Sequence, residues 1–213
     1  MSTSRLQIYN DALMYCGERA LASLSEAREP RRLLDQVWTN DGVDHCLEEA
    51  QWKFAMRTQM IDYDTSIAPT FGYPRAFAIP SDWLVTSAVC TDEYYTNPLL
   101  RYVEEADYIY CDIDVIYVRF VSNHASYGGD LSLWTARFTQ YVASYFASKI
   151  INTLTSDKEK RVEVFKTMEL LKDEAKSLDA MAKPEQQIPS GSWTNTRIGR
   201  SHRDRGSRSN LIG

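Results

Sequence analysis

The residues best suited to acid–base chemistry are five carboxylates near the middle of the chain: Glu104, Glu105, Asp107, Asp112 and Asp114. Two carboxylates roughly 5–10 Å apart can cleave a glycosidic bond. On one continuous strand, Asp112 and Asp114 would share a face at a separation of about 7 Å. Nothing in the sequence marks one carboxyl as desolvated and the other as ionised, which that mechanism requires. A polar, solvated hairpin is therefore the favoured interpretation, and glycan hydrolysis stays an alternative.

The histidines and glycines add no catalytic or metal-binding motif. His45, His124 and His202 fall on a predicted helix, a loop and the C-terminal segment, outside any zinc or triad spacing. The pair Gly128-Gly129 has no Gly-rich nucleotide-binding context, so it predicts a turn. We therefore expect no catalytic residue, no metal and no cofactor.

The C-terminal segment 184–213 combines one tryptophan with spaced arginines. Its five arginines face two carboxylates, a net charge of +3, which leaves −8 for the rest of a chain whose total is −5. Arginine forms bidentate pairs with carboxylates and phosphates, so an acidic protein groove or DNA could order this segment. A tryptophan gives a merely solubilising tail no advantage. The predicted binding residues are Trp193, Arg197, Arg200, Arg203, Arg205 and Arg208.

The composition places the chain in the globular class. It has 213 residues, of which 44% are hydrophobic and 25% charged, enough for one ordinary domain with a small insertion. The N-terminus lacks the apolar run of a signal peptide, and no stretch approaches the roughly 20 apolar residues of a membrane span. Four widely spaced cysteines without a CxxC pair predict reduced, mostly buried thiols: Cys16, Cys46, Cys90 and Cys111.

Helical periodicity predicts four helices, two at each end of the chain. The first has an apolar face from Leu6 to Cys16 and stops at Gly17, and the second begins near Pro30 and runs past a weak point at Gly42. The third follows a predicted N-cap at Asp130 and carries aromatic side chains from Trp134 to Phe146. The fourth opens with a capping box, Ser156-Asp157-Lys158-Glu159, continues with apolar residues at helical spacing through Val162, Phe165, Met168, Leu171, Leu178 and Met181, and ends before Pro184.

Alternating residues between these pairs of helices predict a β-unit. Trp52, Phe54 and Met56 begin the alternation, and Pro80 stops a strand at residues 76–79. A further strand is predicted at 83–91, and a hairpin at 107–121 that breaks near Asp112 and Asp114. The predicted class is α+β: a bundle of about four helices (1–52 and 123–183), an inserted small antiparallel β-unit (53–122) and an extended basic tail (184–213).

Several short motifs occur in one order along the chain. They are Ala12-Leu13 with Cys16-Gly17-Glu18 and Ser23-Leu24, then Trp52-Lys53-Phe54, then Phe77-Ala78-Ile79-Pro80-Ser81-Asp82-Trp83-Leu84, then Phe138-Thr139-Gln140-Tyr141-Val142-Ala143-Ser144-Tyr145, and finally Ser192-Trp193. This order resembles the tail tubular protein A family, the head-to-tail adaptors (connectors) of short-tailed bacteriophages. The resemblance covers nearly the whole chain.

The resemblance implies a structural protein of the virion tail, assembled in the host cytoplasm. Members of that family form a dodecameric ring below the portal protein, around the channel through which double-stranded DNA passes without sequence-specific binding. The C-terminal tail clamps the portal, with Trp193, Arg197 and Arg200 as the first candidates here, and the β-insertion points towards the tail nozzle protein. No membrane is involved.

A ring of identical subunits requires a head-to-tail contact that closes on itself. The long aromatic helix is predicted to supply it, through Trp134, Phe138, Tyr141 and Tyr145. Two alternatives remain open at this point: a tail-associated glycan or peptidoglycan hydrolase built on the acidic hairpin, and a DNA-binding module acting through the arginine-rich tail, whose affinity would fall steeply with salt.

Overall fold

Helical spacing at both ends of the chain and alternation in the middle give the protein its two kinds of structure. The computed structural model describes residues 3–182, and in this range the predicted α+β class is confirmed, with five helices instead of about four. The helices are α1 (Arg5–Cys16), α2 (Glu29–Thr39), α3 (Gly42–Glu48), α4 (Ala136–Leu154) and α5 (Lys158–Met181). The predicted tail, 184–213, lies outside the described residues.

Local capping sets the limits of α1. The Ser4 hydroxyl accepts a hydrogen bond from the Gln7 amide at 3.2 Å, and Gly17 ends the helix in the left-handed conformation, at φ +75°. Its amide returns to the carbonyl of Met14, which satisfies a free carbonyl of the last turn. The predicted first helix and its stop are confirmed.

The second predicted helix is divided into α2 and α3. The chain turns at Asn40 and Asp41, and Asp41 has a positive φ of 57°. A Cβ on Gly42 would lie 2.5 Å from the carbonyl oxygen of Val37 and 3.2 Å from the Phe146 ring, so only glycine lets α3 start this close to α2 and α4. A helical stripe in sequence does not reveal such a turn, because both halves contribute to the same apolar pattern.

Between residues 3 and 182, six strands form two antiparallel sheets of three strands each. The strands are β1 (Met56–Asp62), β2 (Arg75–Ala78), β3 (Trp83–Cys90), β4 (Val103–Glu105), β5 (Tyr108–Cys111) and β6 (Val115–Ser122). Their orders are β1-β6-β3 and β2-β5-β4, and a core that includes Phe77, Ile109, Val118 and Phe120 unites them.

Two strand predictions are wrong in detail. The segment Lys53–Ala55 is a single 3₁₀ turn, so the first strand starts only at Met56. The predicted break at Asp112 and Asp114 exists, but β5 and β6 do not pair with each other as a hairpin. The chain passes there from one sheet to the other, because both β5 and β6 are the central strands of their own sheets.

The starts of α4 and α5 also differ from prediction by a few residues. Thr135 caps α4, since its hydroxyl accepts from the Phe138 amide at 3.2 Å, whereas Asp130 closes a separate turn by accepting from Ser132. Asp157 caps α5 by accepting from the Glu159 amide at 2.9 Å, in place of the predicted Ser156. In both cases a polar side chain caps the helix as predicted, but it belongs to a residue further along the chain than the predicted one.

Helix α4 is the centre of the bundle. Twelve of its nineteen residues are buried, on all sides of the helix, and α1, α2 and α3 pack around it. Trp52 lies against Phe138, with ring centres 4.8 Å apart, and its indole nitrogen donates to the Cys46 carbonyl at 3.0 Å. All four cysteines are buried free thiols, which confirms the prediction.

Candidate functional site

The four aromatic residues predicted to form a subunit interface belong to the core of the chain itself. Trp134, Phe138, Tyr141 and Tyr145 are at most 8% exposed. The indole nitrogen of Trp134 donates to the Gly128 carbonyl at 2.8 Å, and the Trp134 and Phe138 rings meet edge to face. These side chains hold α4 in place and leave too little exposed surface for a contact between subunits, which corrects the prediction. A helix that is apolar on all sides is typical of a core position, and that signal was present in the sequence.

The predicted tail residues fall outside residues 3–182. Trp193, Arg197, Arg200, Arg203, Arg205 and Arg208 therefore keep the status of predictions from sequence.

The predicted acidic cluster is divided between the two ends of β5. Glu105 pairs with Tyr108 at the start of that strand, whereas Asp112 and Asp114 follow its end. Asp114 forms an ion pair with Arg75 at 2.8 Å, and both aspartates are exposed. No burial distinguishes one carboxyl from the other, so this arrangement gives no support to glycan hydrolysis.

The two histidines that the structure describes, His45 and His124, make packing and hydrogen-bond contacts within the fold. The His45 ring stacks on Tyr145 at 4.8 Å, and His124 accepts a hydrogen bond from the Ser126 amide through Nδ1. Between residues 3 and 182, no group of His, Cys, Asp and Glu side chains is arranged to hold a metal ion. In the same part of the chain, no helix combines the length and apolarity needed to cross a membrane.

Helix α5 is the element with most exposed apolar surface. Of its 24 residues, only Val164 and Ala175 are buried. Five other large apolar side chains are 40–75% exposed, and we call them the α5 apolar set: Val162, Phe165, Leu170, Leu178 and Met181. A single exposed leucine is ordinary, but Val162 and Leu170 both lie on the side of α5 opposite the buried Val164 and Ala175, and they indicate an apolar surface available to a neighbour.

Polar contacts complement this limited apolar burial of α5. Glu49 on the bundle accepts from Lys176 at 2.8 Å and lies 3.8 Å from Lys172. The hydrogen bond from Lys176 lowers the pKa of the Glu49 carboxyl, with further help from the charges of Lys172 and His45. Near the C-terminal end of α5, Asp179 accepts from the Lys53 amide at 3.3 Å. These partly exposed pairs are individually weak, so α5 is the least firmly attached helix.

Strand direction gathers three connections at one end of the β-unit. Strands β1 and β3 both run antiparallel to β6, so both end beside its start, where Asp62 pairs with Val115 and Cys90 with Tyr117. In the second sheet, the start of β2 is opposite the end of β5. Loops 63–74 and 91–102 and the link 112–114 therefore lie together at this end. We call them the distal rim, because the chain enters and leaves the β-unit from the bundle at the other end.

The distal rim carries large exposed side chains on an acidic background. Phe71, Tyr94 and Leu100 are 78–91% exposed. Asp64 accepts from the amide and hydroxyl of Ser66, and these hydrogen bonds lower the pKa of its carboxyl. Asp92 is held in the same way by Thr96 and Asn97. The carboxylates thus fix the loop conformations that present the apolar side chains.

Comparison with known proteins gives no family assignment. No protein-family model matches this sequence, and no curated protein matches it either. The motif order and the two exposed surfaces are the observations that bear on its function.

Proposed function

We propose that this protein is a structural adaptor of a short-tailed bacteriophage, a subunit of a dodecameric ring that joins the portal to the tail nozzle around the DNA channel. One observation carries the proposal: of the thirteen large apolar side chains that are exposed between residues 3 and 182, eight lie on α5 or on the distal rim. An eight-residue strand such as β6 spans on the order of 25 Å, which is the distance between the rim and the point at Ser122 where the chain returns to the bundle.

Two separate surfaces suit a protein that joins different partners. In this proposal the α5 apolar set packs against the neighbouring subunit of the ring, a role that the buried aromatics of α4 cannot fill. The distal rim contacts the nozzle protein, and Trp193, Arg197 and Arg200 of the tail clamp the portal. Identical subunits in contact through two different faces close into a ring when the rotation between them fits.

The α5 contact is tested by sedimentation of the full chain with and without assembled portal from the same virus. The variant Leu170→Glu introduces a charge into the α5 apolar set and is expected to prevent ring formation on the portal. Lys166→Gln is the matched control, because it makes the same change of one negative unit at an exposed polar position of α5. A Leu170→Glu chain that still assembles a full ring would contradict the assignment of α5.

The two ends are tested separately in the full chain. Phe71→Ser on the distal rim should weaken binding of the nozzle protein and leave ring formation intact, whereas Thr70→Ser should change neither. Trp193→Ala should weaken co-sedimentation with the portal, with Thr194→Ala as its control. If the unchanged protein binds neither portal nor nozzle, the adaptor function itself is wrong.

A further inference from the structure

A cleft separates α5 from α4 between the two points where α5 is buried. Val164 and Ala175 are eleven residues apart, which corresponds to about 16 Å along a helix. Between them a cleft of about 400 Å³ opens, with α3 and α4 on one side and α5 on the other. Its size is at the lower end of the range for ligand-binding pockets.

Positive charge predominates in this cleft. Two lysines, Lys149 and Lys172, line it together with one carboxylate, Glu49, and with the His45 ring. Glu49 already accepts from Lys176 outside the lining and lies close to Lys172. No carboxylate within the described part of the chain forms an ion pair with Lys149, whose ammonium group lies 4.9 Å from the centre of the Tyr145 ring.

This positive charge contrasts with the rest of the protein. Outside the C-terminal segment, residues 1–183 carry a net charge of −8. A cationic recess on an acidic body does not follow from the average composition, and it concentrates anions locally. The cleft therefore differs in the sign of its charge from the average of residues 1–183.

Apolar and aromatic side chains form part of the cleft wall, beside the polar Ser148 and Asn152. Phe165 and Met168 face it from α5, and Tyr141 and Tyr145 from α4. Phe165 is 40% exposed, so part of its ring is free to contact a ligand. A ligand that fits must combine a negative group with an apolar one at short distance.

We propose that this cleft binds a short acidic segment of a protein partner, in which an aspartate or glutamate is next to an aromatic or aliphatic residue. The carboxylate pairs with Lys149 and Lys172, and the apolar side chain packs against Phe165 and Met168. A DNA duplex fits less well, because its phosphate backbone offers nothing apolar to these walls. The lysines also lack the planar guanidinium fork that pairs best with phosphate.

This inference does not depend on the proposed adaptor function, and peptide binding tests it directly. The probe is a synthetic set of fluorescent hexapeptides that place Asp or Glu next to Phe, Tyr, Trp or Leu. Each has a partner peptide with Asn or Gln in place of the acid. Fluorescence anisotropy with the full chain is expected to show binding of acidic peptides and at least tenfold weaker binding of their amide partners.

Two pairs of variants locate the binding. Lys149→Gln should weaken the best acidic peptide about tenfold, while Lys166→Gln, with the same loss of charge on exposed α5 surface, should not. Phe165→Ser should also weaken it, and Val162→Ser, another exposed apolar residue of α5, should not. Lys149 is exposed and Phe165 is 40% exposed, and thermal unfolding checks that the variants stay folded.

Three outcomes would overturn the proposal. Equal weakening by Lys149→Gln and Lys166→Gln would show general electrostatic attraction. Acidic peptides that bind no better than their amide partners would show that the cleft has no anion preference. Displacement of the peptides by a DNA oligonucleotide that binds more tightly, and that loses affinity in Lys149→Gln, would make the cleft a nucleic-acid site.

Discussion

Helices α4 and α5 follow each other in the chain and are both long, yet they are stabilised in opposite ways. Helix α4 buries twelve residues on all sides, whereas α5 buries two and relies on ion pairs centred on Glu49. Apolar burial stabilises in proportion to area, whereas partly exposed ion pairs contribute little each. The contrast shows that α4 determines the fold, while the surface of α5 remains available for partners.

The largest effect on stability is expected for Phe138→Ala in α4. The Phe138 ring is fully buried and lies within 5 Å, centre to centre, of the rings of Trp52, Phe54 and Trp134. Its loss should lower the free energy of unfolding by about 3–5 kcal/mol, measured by urea denaturation. Leu170→Ala in α5 should change it by less than about 0.5 kcal/mol. Similar losses for the two variants would remove the distinction between the helices.

A smaller effect is expected where α5 meets the core. Val164→Ala removes buried methyl groups and should cost about 1–2 kcal/mol. Val162→Ala, two residues earlier and 51% exposed, should cost much less. Urea denaturation of both proteins measures the difference. If Val162→Ala lowered the free energy of unfolding more than Val164→Ala, then Val162, and not Val164, would be the residue that α5 packs against the core.

The ion pairs of α5 should contribute less to the free energy of unfolding than the buried side chain of Val164. Glu49→Gln leaves Lys172 and Lys176 without their carboxylate and should cost about 1 kcal/mol or less, because the groups are partly exposed. Glu48→Gln is the control, since that neighbouring side chain is exposed. Hydrogen exchange of the α5 amides should increase only in Glu49→Gln, and unchanged exchange would show that the pairs do not attach the helix.

The smallest predicted effect is the response to acid. Because the folded pKa of Glu49 is lowered from its ordinary value of 4.5, its contribution is present above that value and is lost as pH falls through the lower folded pKa. Exchange at the α5 amides, corrected for the intrinsic effect of pH, should therefore increase below about pH 4.5, and more than at α4. The response should be smaller in Glu49→Gln, and an identical response in that variant would assign the effect to other carboxylates.

Much of the fold follows from patterns that the sequence displays directly. Gly17 after a helical stripe and Pro80 after a short strand mark real ends, because glycine readily adopts the left-handed conformation that ends a helix and proline lacks the N–H that a strand needs. The turn at Asp41 was missed because an aspartate with positive φ has no distinctive sequence signal. The division of β5 and β6 between two sheets was missed because alternation predicts a strand but not the strand that pairs with it.

The candidate surfaces were harder to predict than the fold. Regular spacing in α5 indicates which residues share a side, but it does not show whether another element covers them. Helix α5 has the bundle on one side only, so Phe165 and Leu170 stay exposed. Aromatic residues all around α4 suggested a contact between subunits, and the same pattern is what a central helix needs within one chain.

The pairing of β1 with β6 has a mechanical consequence. The chain enters the β-unit at Met56 and leaves it at Ser122, and Met56 is paired with Val121 at that boundary. A pull on the distal rim, directed away from the bundle, loads both strands lengthwise and in the same direction. The strands then share the tension without sliding past each other, and the hydrogen bonds between them are not peeled apart. The paired strands β1 and β6 therefore transmit tension together from the distal rim to the bundle.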